Sequence, residues 1–253
     1  MYAEERQAEI ANRARAAGRV EVAMLAEVLE VTPETVRRDL SVLERAGLVR
    51  RVHGGAIVSD ALGLEPALSV RESLHTVEKV RIAQAAIGLL PHEGAIALDA
   101  GSTTFRLAEI LPPDRELTVV TNSLPIASLL ASRPALVVHL VGGRVRSRTL
   151  ATVDPQAIAY LRSVFVDVAF IGTNGFSVGR GLTTPDSAEA AVKSALIASA
   201  RRCVLLADHT KYGSDHFAQF AGLAQMDTIV TDRALPNSAV AEIEAAGPQV
   251  VRA

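Results

Sequence analysis

The sequence has almost no cysteine and no long apolar run. Its 253 residues include one cysteine, Cys203, so an intramolecular disulfide is excluded. No apolar stretch approaches the roughly 18 residues that a membrane-spanning helix needs. The N-terminus MYAEERQAEI carries acids where a signal sequence carries bases. We therefore expect a cytoplasmic protein, and we expect Cys203 to lie unreactive in a buried strand, CVLLA.

Lysine is scarce, and charge of neither sign dominates. The chain has 23 arginines but three lysines, Lys79, Lys193 and Lys211, and its net charge is −2. Without an overall positive field, binding to nucleic acid has to be sought in a local surface. Hydrophobic residues make up 49% and charged residues 21%, which is typical of globular proteins and excludes a largely disordered chain.

Composition divides the chain into three segments. Residues 1–58 are rich in arginine and acids and predict a small helical unit that ends in a hairpin. Residues 59–70 mix glycine, proline and small residues without a period, which favours a linker. From residue 71 to 253, short β-rich runs alternate with helical stretches, which predicts a mostly parallel α/β domain.

Apolar spacing in the first segment predicts two short helices joined by a turn. One apolar stripe recurs at i, i+3, i+4 and i+7 and consists of Val22, Leu25, Ala26 and Leu29. After a turn at residues 30–31, Thr32 offers an N-cap hydroxyl and Pro33 suits the first helical position. Gly47 supplies a stop for the second helix. The pattern is that of a helix-turn-helix.

The second helix has an apolar face and an arginine face. Val36, Leu40 and Leu43 project to one side, and the opposite side carries Glu34, Arg37, Arg38, Ser41 and Arg45. The next stretch, LVRRVHGGAIV, has two β-prone arms around a turn at residues 53–55, which predicts a wing. Residues 31–58 hold five arginines and three acids, which favours contact with DNA phosphates. Without the wing, a helical bundle with solvated arginines would explain the charges equally well.

This segment resembles the N-terminal domain of the DeoR family of bacterial transcriptional regulators. The stretch VTPETVRRDLSVLERAGLVRRVHGGA matches the family's recognition helix and wing almost position for position. The resemblance implies a helix in the major groove and a wing near the DNA backbone, and leaves open which residues contact base edges. The implied DNA-binding residues are Pro33, Thr35, Arg37, Arg38 and Ser41 on the helix, and Arg50, Arg51 and His53 on the wing.

In the third segment, AIALDAGSTTFRLAEIL predicts a strand, a polar turn and a helix. Free backbone amides, hydroxyl groups and the positive helix end suit a phosphate, and Asp99 at the strand end suits a sugar hydroxyl. Serine and threonine also cap helices for purely structural reasons. The turn alone favours simple capping.

Four more polar loops follow the carboxyl ends of predicted strands. They are residues 121–123 after LTVV, 142–144 after ALVVHL, 172–175 after VDVAFI and 208–211 after CVLLA. Ligands of parallel α/β proteins bind at this edge of the sheet. Lys211 is a natural phosphate partner, with a solvated lysine as the alternative. Together the loops predict a site for a small anionic ligand.

These loops also resemble the DeoR family's C-terminal effector domain, so the resemblance spans about residues 4–232. It implies the fold of ribose-5-phosphate isomerase and CoA-transferases, and a site that senses phosphorylated sugars or related metabolites. The implied effector residues are Asp99, Gly101, Ser102, Thr103, Thr104, Asn122, Gly143, Asn174, Asp208 and Lys211. Asp154, in TLATVDPQA, stands where many relatives carry glycine, and this leaves the effector's identity open.

A metal site and an enzyme are the alternatives to a sensor. His209 and His216, with Asp208 and Asp215, offer metal ligands, but their spacing matches no standard metal-binding pattern. A carboxylate and a lysine beside a sugar phosphate would suit proton transfer in an isomerase-like enzyme with an accessory DNA-binding module. The covalently attached DNA-binding module argues against an enzyme.

The sequence therefore predicts an α/β protein with an N-terminal winged helix-turn-helix joined to a larger effector-sensing domain. We expect a transcriptional regulator of carbohydrate metabolism with no catalytic residues, metal or cofactor. Repression is favoured because no separate segment for contacting polymerase is visible. One winged domain is too small for strong operator specificity, so we expect a homodimer or homotetramer on double-stranded operator DNA.

Overall fold

The fold is known from a computed structural model, which describes residues 3–45, 48–58 and 65–253. The chain forms two compact units, Met1–Leu74 and His75–Ala253. Among the described residues, no helix is both long enough and apolar enough to cross a membrane.

The first unit is a winged helix-turn-helix. Its elements are α1 (Ala3–Ala17), β1 (Arg19–Glu21), α2 (Val22–Val28), α3 (Pro33–Arg45), β2 (Val49–Val52), β3 (Gly55–Val58) and α4 (Leu68–Ser73). The strands form an antiparallel sheet in the order β1-β3-β2, and β2 and β3 are the two arms of the wing. The helix-turn-helix and the wing predicted from the sequence are confirmed.

Local chemistry explains the helix-turn-helix. All four residues of the predicted apolar stripe are buried. Glu30 turns the chain in the left-handed conformation, with φ of 53°. The amide of Thr35 donates to Oγ1 of Thr32 at 3.2 Å, so Thr32 is the predicted N-cap of α3, and Pro33 is its first residue. The predicted stop at Gly47 lies outside the described residues.

Two features of this unit differ from the predictions. Strand β1 is too short to show a period, and it is recognised only by its pairing with β3. The predicted linker, residues 59–70, is described from residue 65 onward, and there Leu68 already begins α4. A helix of six residues is likewise too short to show a helical period in the sequence.

The second unit is a three-layer α/β structure. Its elements are α5 (Thr76–Ile87), β4 (Gly94–Leu98), α6 (Ser102–Glu109), β5 (Leu117–Thr121), α7 (Leu124–Leu130), β6 (Leu136–Leu140), β7 (Arg144–Arg146), β8 (Ala151–Val153), α8 (Pro155–Arg162), β9 (Val166–Gly172), β10 (Gly175–Ser177), β11 (Gly181–Thr184), α9 (Ser187–Ala198), β12 (Ala200–Leu206), β13 (Ala218–Ala221), β14 (Thr228–Thr231), α10 (Asn237–Ala245) and β15 (Gln249–Arg252).

Seven parallel strands form the central sheet, in the order β15-β14-β12-β9-β4-β5-β6. The six strands that the β-rich runs AIAL, LTVV, ALVVHL, VDVAFI, CVLLA and TIVTD predict are all present, and β15 extends one edge. Consecutive strands are added in one direction from β4 to β6 and in the other direction from β9 to β15. The direction therefore reverses between β4 and β9, which is the topological switch point where open α/β sheets form a crevice.

Apolar residues alternate across this sheet. Ile96 and Leu98 of β4 pack on one face with α5, α6 and α7, whereas Ala97 packs on the other face with α8, α9 and α10. Strand β9 alternates in the same way. Strands β4, β5, β9 and β14, which are buried on both faces over most of their length, appear in the sequence as nearly continuous apolar runs, whereas the edge strands β6 and β15 are partly exposed. Smaller sheets, β10-β11-β13 and β7-β8, lie outside this layer and were not predicted.

Candidate functional site

Helix α3 exposes the arginine face that the sequence predicts. Val36, Leu40 and Leu43 are buried in the core of the first unit. On the opposite side Pro33, Glu34, Arg37 and Arg38 are exposed, and Thr35 and Ser41 are partly exposed. The side chain of Arg45 lies outside the described residues.

Arg51 joins the wing to helix α3. Its Nη1 donates to Oγ of Ser41 at 2.9 Å, and its backbone amide donates to Oε1 of Glu44 at 2.8 Å. Ser41 in turn donates to the carbonyl of Arg37 at 2.8 Å. These bonds set the wing and the helix in one arrangement, with Arg50 and His53 exposed on the wing.

A groove of about 330 Å³ lies between α3 and the wing. Arg37, Arg51 and His53 line it together with the backbone of the wing turn. Nη1 of Arg37 is 3.1 Å from Oε2 of Glu34, but both side chains are largely exposed, and such pairs contribute little to stability. Breaking this pair, so that Arg37 binds a DNA phosphate or base in place of Glu34, would therefore cost little free energy.

A buried carboxylate that the sequence analysis did not single out holds α1 against α3. Arg6 donates to Asp39 through Nε at 2.6 Å and through Nη2 at 3.3 Å, and Gln7 donates to the same carboxylate at 2.9 Å. This hydrogen-bonded ion pair raises the pKa of Arg6 above its ordinary value, although burial acts in the opposite direction. Asp39 thus fixes helix α3 against α1.

In the second unit, Asp99 follows β4 at the topological switch point and is fully buried. Its Oδ2 accepts the amide of Gly172 at 2.9 Å and also accepts Nζ of Lys193. Lys193 donates as well to the carbonyl of Gly172 at 2.9 Å. The other oxygen, Oδ1, is buried and has no hydrogen-bond partner among the described residues.

Lys193 is not among the effector residues predicted from the sequence, although the sequence indicates that it is unusual. It is a single cation within the apolar helix sequence AEAAVKSALIA, in a chain with three lysines. Its side chain is 5% exposed. A lysine buried to this degree normally has a paired acid, so its position marks a candidate functional site.

The turn after Asp99 does not have the simple side-chain cap that the turn sequence favours. Gly101 is the N-cap of α6, and it provides no side-chain hydrogen bond to the first amides. Oγ1 of Thr104 donates instead to the carbonyls of Asp99 at 2.6 Å and Gly101 at 3.0 Å. Ser102 and Thr103 are buried beside it. Within the described ranges, no side-chain acceptor caps the positive end of α6.

Two of the predicted residues shape the neighbouring loops. Oδ1 of Asn122 accepts the amide of Ala100 at 3.0 Å, which joins the loop after β5 to the loop after β4. Gly143 has φ of 139°, and a Cβ atom there would lie 2.4 Å from the carbonyl oxygen of Val153. Asn174 is partly exposed in the loop between β9 and β10.

Asp208 and Lys211 lie in the loop after β12. Oδ1 of Asp208 accepts the amide of Thr210 at 3.1 Å and its hydroxyl, whereas the buried Oδ2 has no partner among the described residues. Burial alone would raise the pKa of Asp208, but the charge of Lys211 and the hydrogen bonds from Thr210 hold that pKa below its ordinary value. Asp208 is thus held as an anion beside a cation.

Two histidines meet next to this loop. The rings of His75 and His209 are 5.9 Å apart, edge to face. Burial lowers the pKa of His75, although the carboxylate of Asp208 acts in the opposite direction. Nδ1 of His209 bonds to Asp232 at 2.9 Å, and Oδ1 of Asp215 accepts from Ser177 at 2.7 Å. No group of three or more acidic, histidine or cysteine side chains within the described ranges is arranged to hold a metal ion.

Asp154 has a backbone conformation that explains why glycine suits this position. Its φ of 87° and ψ of 175° fall in a region that residues with a Cβ rarely adopt. Its carboxylate accepts from Nε of Arg144 at 2.8 Å and from Nη2 at 3.3 Å. The added negative charge is therefore paired with a cation.

A second network, which the sequence analysis did not identify, connects the β7-β8 hairpin to α9. Arg146 donates to Asp186 at 3.0 Å and to Glu189 at 3.1 Å, and Thr149 donates to Glu189. Glu189 is buried, so this pairing satisfies a charge that would be costly alone. The partners lie some 40 positions apart, and no local sequence pattern indicates that they pair.

Cys203 is buried in β12 as predicted, and burial raises its pKa to about 11.

Comparison with known families and proteins agrees with this architecture. The model of the DeoR-like helix-turn-helix domain matches residues 6–61, and that of the DeoR C terminal sensor domain matches residues 74–233. The HTH-type transcriptional regulator GlpR of Haloferax volcanii is 37% identical over 230 residues, which cover 91% of this chain and 90% of that protein. The HTH-type transcriptional repressor GlcR of Bacillus subtilis is 32% identical over 243 residues, which cover 96% and 93%.

Among solved structures, the full-length sorbitol operon regulator SorC from Klebsiella pneumoniae matches with a TM-score of 0.38 and 15% identity, covering 81% of this chain and 89% of that chain. Ribose 5 phosphate isomerase A from Neisseria gonorrhoeae matches with a TM-score of 0.39 and 18% identity, covering 58% and 56%. The two family models cover most of the chain, and the sequence relatives match more than nine tenths of it. The chain therefore belongs to the DeoR family of transcriptional regulators, with a winged helix-turn-helix for DNA and a C-terminal sensor domain.

Proposed function

We propose that this regulator represses genes of carbohydrate metabolism and that a phosphorylated sugar controls its affinity for operator DNA. The observation that carries the proposal is the group of five polar loops at the carboxyl ends of five adjacent strands, β12, β9, β4, β5 and β6. Ligands of open α/β sheets bind at this edge. In the same chain, a winged helix-turn-helix would bind the operator DNA whose occupancy the effector controls.

On the DNA side, α3 would enter the major groove and the wing would lie along the backbone. The exposed arginine face of α3 and the groove beside it support this placement. The helix contacts would come from Pro33, Thr35, Arg37, Arg38 and Ser41, and the wing contacts from Arg50, Arg51 and His53. Repeated half-sites would require a homodimer or homotetramer, and we expect the protein in the cytoplasm, where its operators are.

On the effector side, the phosphate would bind the open amides at the start of α6, close to the hydroxyls of Ser102 and Thr103. Asp99, Asn174 and Asp208 would bind sugar hydroxyls. Strands β12 and β4 are separated by β9, so their ends lie about 10 Å apart, which suits the length of a sugar phosphate. The shapes of the loops would be set by Gly101, Thr104, Asn122 and Gly143. The ammonium group of Lys211 would balance part of the negative charge of the phosphate.

A binding experiment tests both halves of the proposal. Operator fragments selected from genomic DNA are titrated with the full-length protein, with and without phosphorylated hexoses, pentoses, trioses and amino sugars. We expect one class of ester to change operator affinity, because an effector shifts the equilibrium only through its different affinities for the two states. The esters should remain chemically unchanged. Turnover on the order of 1 per second would support an isomerase-like enzyme instead.

Two pocket variants locate the effector. Ser102→Ala removes a hydroxyl and Lys211→Ala removes a cation, so each should weaken effector binding by about 1–3 kcal/mol. Operator affinity without effector should stay near that of the wild type, so that repression persists when effector is added. Loss of DNA binding, or a normal response to effector, would show that the site lies elsewhere.

A further inference from the structure

The buried ion pair of Asp99 and Lys193 spans the topological switch point. Asp99 follows β4, Gly172 ends β9 on the other side of the switch, and Lys193 reaches them from α9. Nζ of Lys193 also lies 5.5 Å from the centre of the Phe220 ring. The ammonium group is therefore surrounded by a carboxylate, a carbonyl and an aromatic face, which together replace water around it.

The two oxygens of Asp99 are in unequal surroundings. Oδ2 accepts from both the Lys193 ammonium and the Gly172 amide, whereas the buried Oδ1 accepts from no group among the described residues. Buried polar atoms in native proteins are almost always satisfied, by protein, water or ligand. An ionised carboxylate can only accept, so the missing partner must be a hydrogen-bond donor.

The same imbalance occurs two strands away. Oδ2 of Asp208 is buried without a partner among the described residues, whereas its Oδ1 is bonded to Thr210. Both unsatisfied carboxylate oxygens lie at the carboxyl edge of the sheet, on either side of β9. A ligand with several hydroxyl groups supplies donors to both. A carboxylate group of a ligand supplies none, and it would face two negative charges.

We propose that Lys193 is a positioning residue of the effector site, where it holds Asp99 so that the second carboxylate oxygen accepts a hydroxyl group of the effector. By this means the site selects phosphate esters of polyhydroxylated compounds over phosphorylated carboxylic acids. The inference rests on the proposed function and adds to it a specificity determinant. Lys193 bonds to one oxygen of Asp99 and leaves the other oxygen available as an acceptor.

Calorimetric titration of the full-length protein tests the proposal. The probes are inorganic phosphate, glucose 6-phosphate, fructose 6-phosphate, ribose 5-phosphate, glycerol 3-phosphate and 3-phosphoglycerate, followed by the monodeoxy analogues of the tightest ester. In the wild type, removing the hydroxyl that meets Asp99 should weaken binding about 10- to 100-fold, as for a lost hydrogen bond to a charged acceptor. We expect 3-phosphoglycerate to bind more weakly than the sugar esters.

The loss of affinity caused by removing that hydroxyl, here called the deoxy penalty, is then measured in Asp99→Asn and in Lys193→Met. We expect it to shrink by about fivefold or more in both, because the charged acceptor is neutralised in one and released in the other. Ser194→Ala is the matched control. Ser194 neighbours Lys193 on α9 and donates to the backbone carbonyl of Phe220 in β13 at 2.7 Å, so its loss removes a bond between α9 and β13 and no bond to Asp99. This control should keep the full penalty.

The outcomes separate this proposal from the function on which it rests. If Lys193→Met does not fold, the double variant Asp99→Asn/Lys193→Met, which removes both charges, takes its place in the comparison. A full deoxy penalty in the variants, or tighter binding of 3-phosphoglycerate than of any sugar ester, would overturn the role of Lys193 and leave a phosphate-ester sensor standing. If the wild type binds no ester of the set, the proposed function and this inference both fail.

Discussion

Arg51 offers a sharp test of the DNA-binding surface, because its backbone and side chain can be separated. The change Arg51→Ala removes the guanidinium, and with it the bond to Ser41, but keeps the amide that donates to Glu44 at 2.8 Å. The wing therefore stays attached to α3 in the variant. A loss of DNA binding then reports on the guanidinium and not on a displaced wing.

The expected magnitude follows from the number of phosphates contacted. If Arg51 neutralises one phosphate, its removal lowers the slope of log affinity against log salt by about 0.9. Between about 50 mM and about 200 mM salt, this amounts to roughly a 3.5-fold smaller loss of affinity than in the wild type. Operator and non-operator DNA should be affected alike, because a phosphate carries no sequence information.

Ser41→Ala is the matched control. It breaks the same 2.9 Å hydrogen bond from the helix side and leaves the charge of Arg51 in place. Both variants should lose about 0.5–1 kcal/mol of unfolding free energy in urea titrations, because the bond lies at an exposed position. Only Arg51→Ala should change the salt slope.

Fluorescence anisotropy with labelled operator and non-operator duplexes, at several salt concentrations, measures both quantities. An unchanged salt slope in Arg51→Ala would refute the phosphate contact. A loss confined to operator DNA would place Arg51 against a base edge instead. A slope change in Ser41→Ala equal to that in Arg51→Ala would show that the bond between them, and not the charge, governs binding.

Three further changes test the backbone and the buried groups. Asp154→Gly should be more stable than Asp154→Ala by about 1 kcal/mol or more in urea titration, because glycine adopts a φ of 87° without strain. Both variants lose the ion pair with Arg144, so the comparison isolates the backbone. Equal stabilities would contradict this strain. Since burial lowers the pKa of His75 in the folded state, the unfolded state takes up the proton first as pH falls through about 6.5, and unfolding free energy declines. His75→Gln should remove that part of the decline, and an unchanged pH profile would count against it. Gly55→Ala places a Cβ atom 2.1 Å from the carbonyl oxygen of Val20, so it should disrupt the β1-β3 pairing and abolish DNA binding; wild-type anisotropy would contradict the close approach.

The DNA-binding unit was largely determined by the sequence, because its signals are local. The cap at Thr32, the proline that follows it and the apolar spacing of two short helices all act within one or two helical turns. Six of the seven strands of the central sheet were also evident as apolar runs, because most of them are buried on both faces. Their alternation with helices made the sheet parallel and brought the polar loops to one edge.

Only the tertiary structure decided how those loops are arranged. Strand order depends on pairings between distant segments, and apolar runs of similar composition do not encode which strand lies beside which. The placement of β9 next to β4 brings Lys193 to Asp99, 94 positions away in the chain. Local sequence determined the elements and the surfaces they bury, whereas the partners of the buried charges were decided by contacts that exist only once the sheet has assembled.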